Sequence, residues 1–179
     1  MISLQVIFWL LVIIFAIIGA VRCWASELLV TFSSVLALFI LFILENYAGF
    51  ASESPLFTQE VPHFWLQSVI FLGLIVFGYQ APNLPALAGH MRFANRSPLD
   101  HLAGALLGAI NGFFIFGSLW FFMDAAGYPF SIISAPAAGT EIGDAAINLL
   151  AYLPPNWMVS PAIYFLTGLA LALVVVAFL

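Results

Sequence analysis

Five apolar runs, each close to the length that crosses a bilayer, constrain this chain more than any other feature. They are Leu4–Val21, Leu28–Leu44, Phe64–Tyr79, Leu102–Met123 and Pro161–Leu179. A spanning helix needs ~20 predominantly apolar residues for a ~30 Å hydrocarbon core. Inside lipid every backbone N–H and C=O must find a partner within the protein, so only helices and closed barrels can span. The runs are long and do not alternate strictly, which favours helices over barrel strands. The expected fold is therefore all-α: a polytopic bundle of about five membrane helices.

Composition points the same way. Of 179 residues 65% are hydrophobic and 6% are charged, and there is no lysine. A soluble domain carries about 25% charged residues. The three basic residues, Arg22, Arg92 and Arg96, make no patch that could bind nucleic acid. Cys23 is the single cysteine, which excludes an intramolecular disulfide or a cysteine metal cluster. The N-terminus has no basic stretch ahead of its first run, unlike a cleavable signal, and that run is long enough to span.

Helix boundaries are legible. Ser97, Pro98 and Asp100 have the types and spacing of an N-cap, a first position and a third position. Ser160 with Pro161, and Ser26 with Glu27, suggest two further starts. Arg22 falls at the end of the first run and Glu27 at the start of the second, where both charges complement the helix dipoles. This spacing predicts a partly hydrated pair that steadies the first hairpin. Between Asp124 and Ser160, Thr140 can cap a short helix with Glu141 and Asp144 in its first turn. Ile142, Ala146, Leu149, Leu150 and Leu153 then recur on one face, so Thr140–Leu153 reads as an amphipathic helix on the membrane surface or folded onto the bundle. Tyr152 and Trp157 suit the headgroup level.

With strict alternation, Arg22, Arg92 and Arg96 all lie on one side. The positive-inside rule makes that side cytoplasmic, with the N-terminus outside and the C-terminus inside. The opposite loops carry Glu45, Glu53, Glu60, Asp124, Glu141 and Asp144 without a basic residue. The loop holding Leu84, Leu87, Met91 and Phe93 is apolar and suited to docking at the cytoplasmic interface.

Within the fourth run Gly104, Gly108 and Gly112 stand four apart, flanked by Ala105 and Ala109 and followed by Gly117. Small residues at this spacing open a groove in which another backbone can approach closely, the main packing device in lipid. Asn111 lies mid-helix, where its amide requires a partner helix, water or a ligand. His63, His90 and His101 could in principle ligate a metal or a pigment. However, His63 and His101 are predicted on opposite sides of the membrane, so a shared site is not expected. There is no HExxH, GxSxG or phosphate-binding glycine loop, and no paired intramembrane carboxylate. The expectation is a protein without catalytic residues, cofactor or metal. Its partners would be membrane lipid, other membrane proteins or a second copy of itself.

Two motifs together resemble the colicin V production (CvpA) family of bacterial inner-membrane proteins. The first hairpin reads Gly19, Ala20, Val21, Arg22, Cys23, Trp24, Ala25, Ser26, Glu27, with the family's glycine, arginine and glutamate spacing and Cys23 in place of a glycine. The second motif is Asp100, His101, then Gly104, Gly108 and Gly112, with His101 where a basic residue usually lies and Asn111 where many relatives carry arginine. The resemblance covers about residues 1–125. It leaves 126–159 as an external loop with its interfacial helix and 160–179 as an additional membrane helix. It implies an inner-membrane scaffold or accessory protein linked to colicin V production and export and to envelope maintenance. A small subunit of a respiratory or photosynthetic complex, and a small channel or transporter, are the competing expectations.

Overall fold

The computed structural model describes residues 4–47, 54–83 and 97–178. Arg92, Arg96, His90, Glu53 and the apolar loop around Met91 lie outside the described residues. Among the described residues four helices are long and apolar enough to cross a membrane: α1 (Leu4–Arg22), α2 (Trp24–Tyr47), α4 (Glu60–Gln80) and α5 (Pro98–Ala125). Between α2 and α4 lies a single-turn helix, α3 (Pro55–Thr58), opened by Ser54 and Pro55, a start that the sequence reading passed over. A 3₁₀ turn at Ala81–Asn83 follows α4. After α5 come the short helices α6 (Glu141–Leu150) and α7 (Pro154–Trp157), then the apolar α8 (Ala162–Phe178). At 17 residues α8 is about 25 Å long at the α-helical rise, slightly short of the hydrocarbon thickness.

The expected capping of α5 is present in both directions. Ser97 Oγ accepts from Asp100 N at 3.3 Å and Asp100 Oδ2 accepts from Ser97 N at 3.0 Å. Thr140 caps α6, its Oγ1 accepting from Gly143 N at 3.1 Å. Two starts differ from expectation. α2 begins at Trp24, so Ser26 and Glu27 fall inside its first turn and Ser26 is buried rather than a cap. α8 begins at Ala162, one residue beyond Pro161.

The buried centre of the bundle is α2, half of whose 24 residues are inside. It packs against α4, α5 and α8, while α1 lies mainly along α5. Phenylalanines interlock across these seams at edge-to-face angles, as in Phe15–Phe116 (5.1 Å between ring centroids) and Phe71–Phe122 (5.8 Å). α8 is held to α2 by Tyr164, whose ring meets Phe39 and Phe42 and whose hydroxyl is 2.9 Å from that of Tyr47. α6 and α7 fold against α1 and α5 through Ala146, Leu153 and Pro154. Ile142 and Ile147 stay exposed at the margins of that face. The helix thus buries only the centre of its apolar arc against protein.

Candidate functional site

At the crossing of α1 and α5 the glycine pattern becomes backbone contact. A Cβ on Gly19 would overlap the Gly104 carbonyl oxygen and stand 2.8 Å from Gly108 Cα. A Cβ on Gly108 would overlap the Phe15 carbonyl oxygen and stand 2.9 Å from Gly19 Cα. Gly112 faces Val12 and Phe15 one turn further along. The partner of the stripe is therefore α1 of the same chain. A comparable approach occurs between α2 and α4, where Gly78 meets Ser33 and the Leu29 carbonyl. Sequence reasoning passed over Gly78 because it stands alone.

This close packing brings the chain's most polar interior residues together at the Arg22 end. Cys23 alone separates α1 from α2 and adopts φ 73°, a left-handed conformation that turns the chain sharply. The turn sets Arg22 beside Glu27, with Arg22 Nε donating to Glu27 Oε1 at 2.9 Å. The pair is hydrated on the arginine side alone, with Glu27 deeper than the spacing suggests: the Glu27 side chain is 0% exposed and that of Arg22 is 30% exposed. The difference arises because α2 starts three residues earlier than expected, which carries Glu27 into the bundle.

Asn111, also 0% exposed, reaches Glu27 from α5. Its Nδ2 donates to Glu27 Oε2 at 2.8 Å and to the Glu27 carbonyl at 3.0 Å. Its Oδ1 lies 2.7 Å from Thr31 Oγ1, which is also 3.0 Å from the Glu27 carbonyl. The neighbours fix the orientation of the amide, because only its nitrogen can donate to the carboxylate. From α4, the Tyr79 carbonyl lies 3.4 Å from an Arg22 terminal nitrogen, and the Tyr79 ring lies 4.7 Å under the guanidinium carbon. Arg22, Glu27, Thr31, Asn111 and Tyr79 thus join α1, α2, α4 and α5. Thr31 was findable, since it follows Glu27 by four residues on the same helix face. Tyr79 was not, because its role depends on tertiary packing.

Comparison with family models, with curated proteins and with solved structures finds no match. The residues themselves therefore carry the functional reading.

His63 and His101 occupy opposite ends of the bundle. His101 Nδ1 is 2.7 Å from the Ala20 carbonyl, where it ties the start of α5 to the last turn of α1. His63 Nε2 is 3.3 Å from Glu45 Oε1, which also accepts from Gln67 Nε2 at 2.8 Å. Arg22 and His101 at one end, and Glu45, His63 and Glu60 at the other, fit α1, α2, α4 and α5 running alternately up and down. Among the described residues no three metal-ligating side chains converge.

Chemically, the Arg22–Glu27–Asn111 cluster holds a carboxylate wholly inside the bundle against a guanidinium that reaches its edge. Both Glu27 oxygens face donors, Oε1 the Arg22 guanidinium and Oε2 the Asn111 amide. Removing one member of such a buried set leaves a desolvated partner, so the cluster acts as a lock among helices.

Proposed function

We propose that this chain is a non-enzymatic, CvpA-like scaffold or accessory protein of the bacterial inner membrane. By that resemblance it is linked to colicin V production and export and to envelope maintenance. One observation carries the reading: the buried Glu27 and Asn111 and the half-buried Arg22 and Thr31 are engaged with one another, and with Tyr79, in holding four helices together. A polar group in a membrane interior marks function by default. Here the work that these groups support is assembly of a rigid, lipid-embedded unit that other membrane proteins, or a second copy, can lean on.

Native mass analysis of the tagged chain, extracted in mild detergent, tests this directly. The expected result is co-extraction of membrane proteins or of a second copy. Solute or ion flux in liposomes above that of empty vesicles, lost on Asn111→Leu, overturns the scaffold reading in favour of a channel or transporter.

The proposed orientation has the N-terminus outside and the C-terminus in the cytoplasm. Glu53→Cys and Arg92→Cys, each in a Cys23→Ala background, are to be treated in intact cells with a membrane-impermeant thiol reagent. Position 53 should label and position 92 should not. The reverse pattern inverts the topology.

A further inference from the structure

The end of the bundle that carries Asp124 holds a cavity of about 100 Å³ between α3, α4 and the end of α5. Phe57, Phe64 and Phe122 supply aromatic wall, and Glu60, Thr58, Gln59, His63 and Gln67 supply polar groups. The Glu60 side chain is exposed at the rim. Thr58 Oγ1 donates to the Ser54 carbonyl at 3.2 Å, which leaves its lone pairs to accept. His63 stacks its ring 5.8 Å from that of Phe57. Its Nε2 is buried within ion-pair distance of Glu45 yet makes no hydrogen bond. Among the described residues at this end, Glu45, Glu60, Asp124, Glu141 and Asp144 are acidic, and neither lysine nor arginine balances them.

We propose that this cavity binds a primary ammonium group, either of a lipid headgroup or of a free small amine. The volume is right for a short group: about three waters' share of liquid volume, or an ammonium with two or three further heavy atoms. An ammonium offers three donors on a compact charge, and the rim offers a carboxylate and a hydroxyl to accept them. Aromatic faces within reach add cation–π attraction, strongest where water is excluded. A metal ion fits less well, because no three ligating side chains converge here among the described residues. An anion is disfavoured by the Glu60 carboxylate in the lining and by Glu45 beside His63. The cavity is separate from the Arg22–Glu27–Asn111 cluster, so the proposal stands whether or not the scaffold reading holds.

The test is thermal unfolding of the full chain in neutral detergent, titrated with ethanolamine hydrochloride. Sodium chloride at equal ionic strength is the control. The expected result is a saturable rise in midpoint of about 2–4 °C, the scale on which bound ligand stabilises a chain of this size. Glu60→Gln, an isosteric change at an exposed position, should raise the half-saturating concentration at least about fivefold. Phe57→Leu should weaken binding without abolishing it. Choline, whose methyl groups replace every N–H, should give no saturable rise. In nanodiscs, phosphatidylethanolamine that raises the midpoint over phosphatidylcholine and removes the response to free ethanolamine identifies the lipid as the source. A response to free ethanolamine that is equal in both lipids identifies a soluble amine. No saturable rise, an equal rise with choline, or an unchanged titration in Glu60→Gln overturns the proposal. So does a zinc-induced rise that is lost in His63→Gln and exceeds that of ethanolamine.

Discussion

Asn111 on α5 donates to both the carboxylate and the backbone carbonyl of Glu27 on α2, spanning 84 positions of sequence with one amide. Replacing it by leucine keeps the branched heavy-atom shape, in a somewhat larger side chain, and removes both donors. A buried charged acceptor left short of a partner costs about 1–3 kcal/mol or more. Asn111→Leu should therefore lower the unfolding midpoint clearly, and Asn111→Asp should lower it further by setting two carboxylates together. Unfolding in one detergent compares the three proteins. A midpoint for Asn111→Leu at or above that of the parent means that the amide is dispensable.

Arg22 should matter more than an exposed ion pair, because its partner is wholly inside. Breaking a buried pair from one side typically costs about 3–5 kcal/mol, and the hydration of Arg22 should place its loss at the lower end. Arg22→Gln is expected to destabilise by about 3 kcal/mol on that scale. Adding Glu27→Gln should recover part of the loss, since the uncompensated charge is then gone. The charge exchange Arg22→Glu with Glu27→Arg should not restore stability, because the new arginine would face the Asn111 donors. A double-mutant cycle with no coupling would remove the pair from the argument.

The glycines should rank by what surrounds them. Gly108→Leu drives a side chain into the Phe15 and Gly19 backbone, which cannot rotate away. Overpacking of this kind costs about 1–3 kcal/mol, occasionally more. Gly117→Leu meets the Pro154 ring at 3.0 Å and the Leu153 side chain at 3.2 Å, farther off than the backbone atoms that face Gly108, so it should be milder. Gly73 and Gly168 meet nothing within 4 Å, and alanine there should be neutral or stabilising by up to about 1 kcal/mol through helix propensity. Aggregation midpoints of the four variants in one detergent give the order directly. Equal values for Gly108→Leu and Gly117→Leu would contradict it.

Cys23 is a branch-free residue held at φ 73°, a region that favours glycine. Such a conformation costs a non-glycine residue about 1 kcal/mol or more. Cys23→Gly should raise the midpoint, and Cys23→Val, β-branched at positive φ, should lower it. If valine is tolerated as well as glycine, the junction between α1 and α2 does not hold the conformation described.

Tyr128 supplies a pH dependence in the loop after α5. Burial pushes its hydroxyl up to about 12; Trp120 Nε1–H, donating to it at 3.1 Å, works in the opposite direction, and the Asp124 carboxylate adds to the rise. A tyrosine exposed by unfolding ionises near its ordinary value of about 10. The unfolded chain therefore releases this proton first, and stability should fall as pH rises from about 10 to about 12. Tyr128→Phe should flatten that limb while losing the bond to Trp120 at neutral pH. Unfolding midpoints between pH 8 and 12 test the sign.

What could be read from the sequence followed from interactions local in the chain. The spans, the Ser97–Asp100 box, the Thr140 cap and the small-residue stripe each occupy a few consecutive turns of helix. The stripe could be seen, but not what faced it, since α1 offers one glycine, Gly19, among bulky aliphatics. Arg22 and Glu27 were visible as neighbours. The burial of Glu27 was not, because it depends on α4 and α5 closing over the first turn of α2. Tyr79, Gly78 and Phe57 gain their roles only from helices that arrive from elsewhere in the chain.

The backbone contact between α1 and α5 also sets an order of events during synthesis. Gly104 lies 85 positions after Gly19, so the surface that receives α1 does not exist when α1 enters the membrane. At roughly 5–20 residues per second, α1 waits about 4–17 s before α5 is complete enough to dock. Through that interval its own length of bare aliphatic surface must be sheltered by lipid or by the insertion machinery. Glu27 meanwhile has Arg22 for company but not yet Asn111. The last long helix of the four is thus the one that closes the interior, and a ribosome stalled ahead of it would leave an open, charge-bearing hairpin in the bilayer.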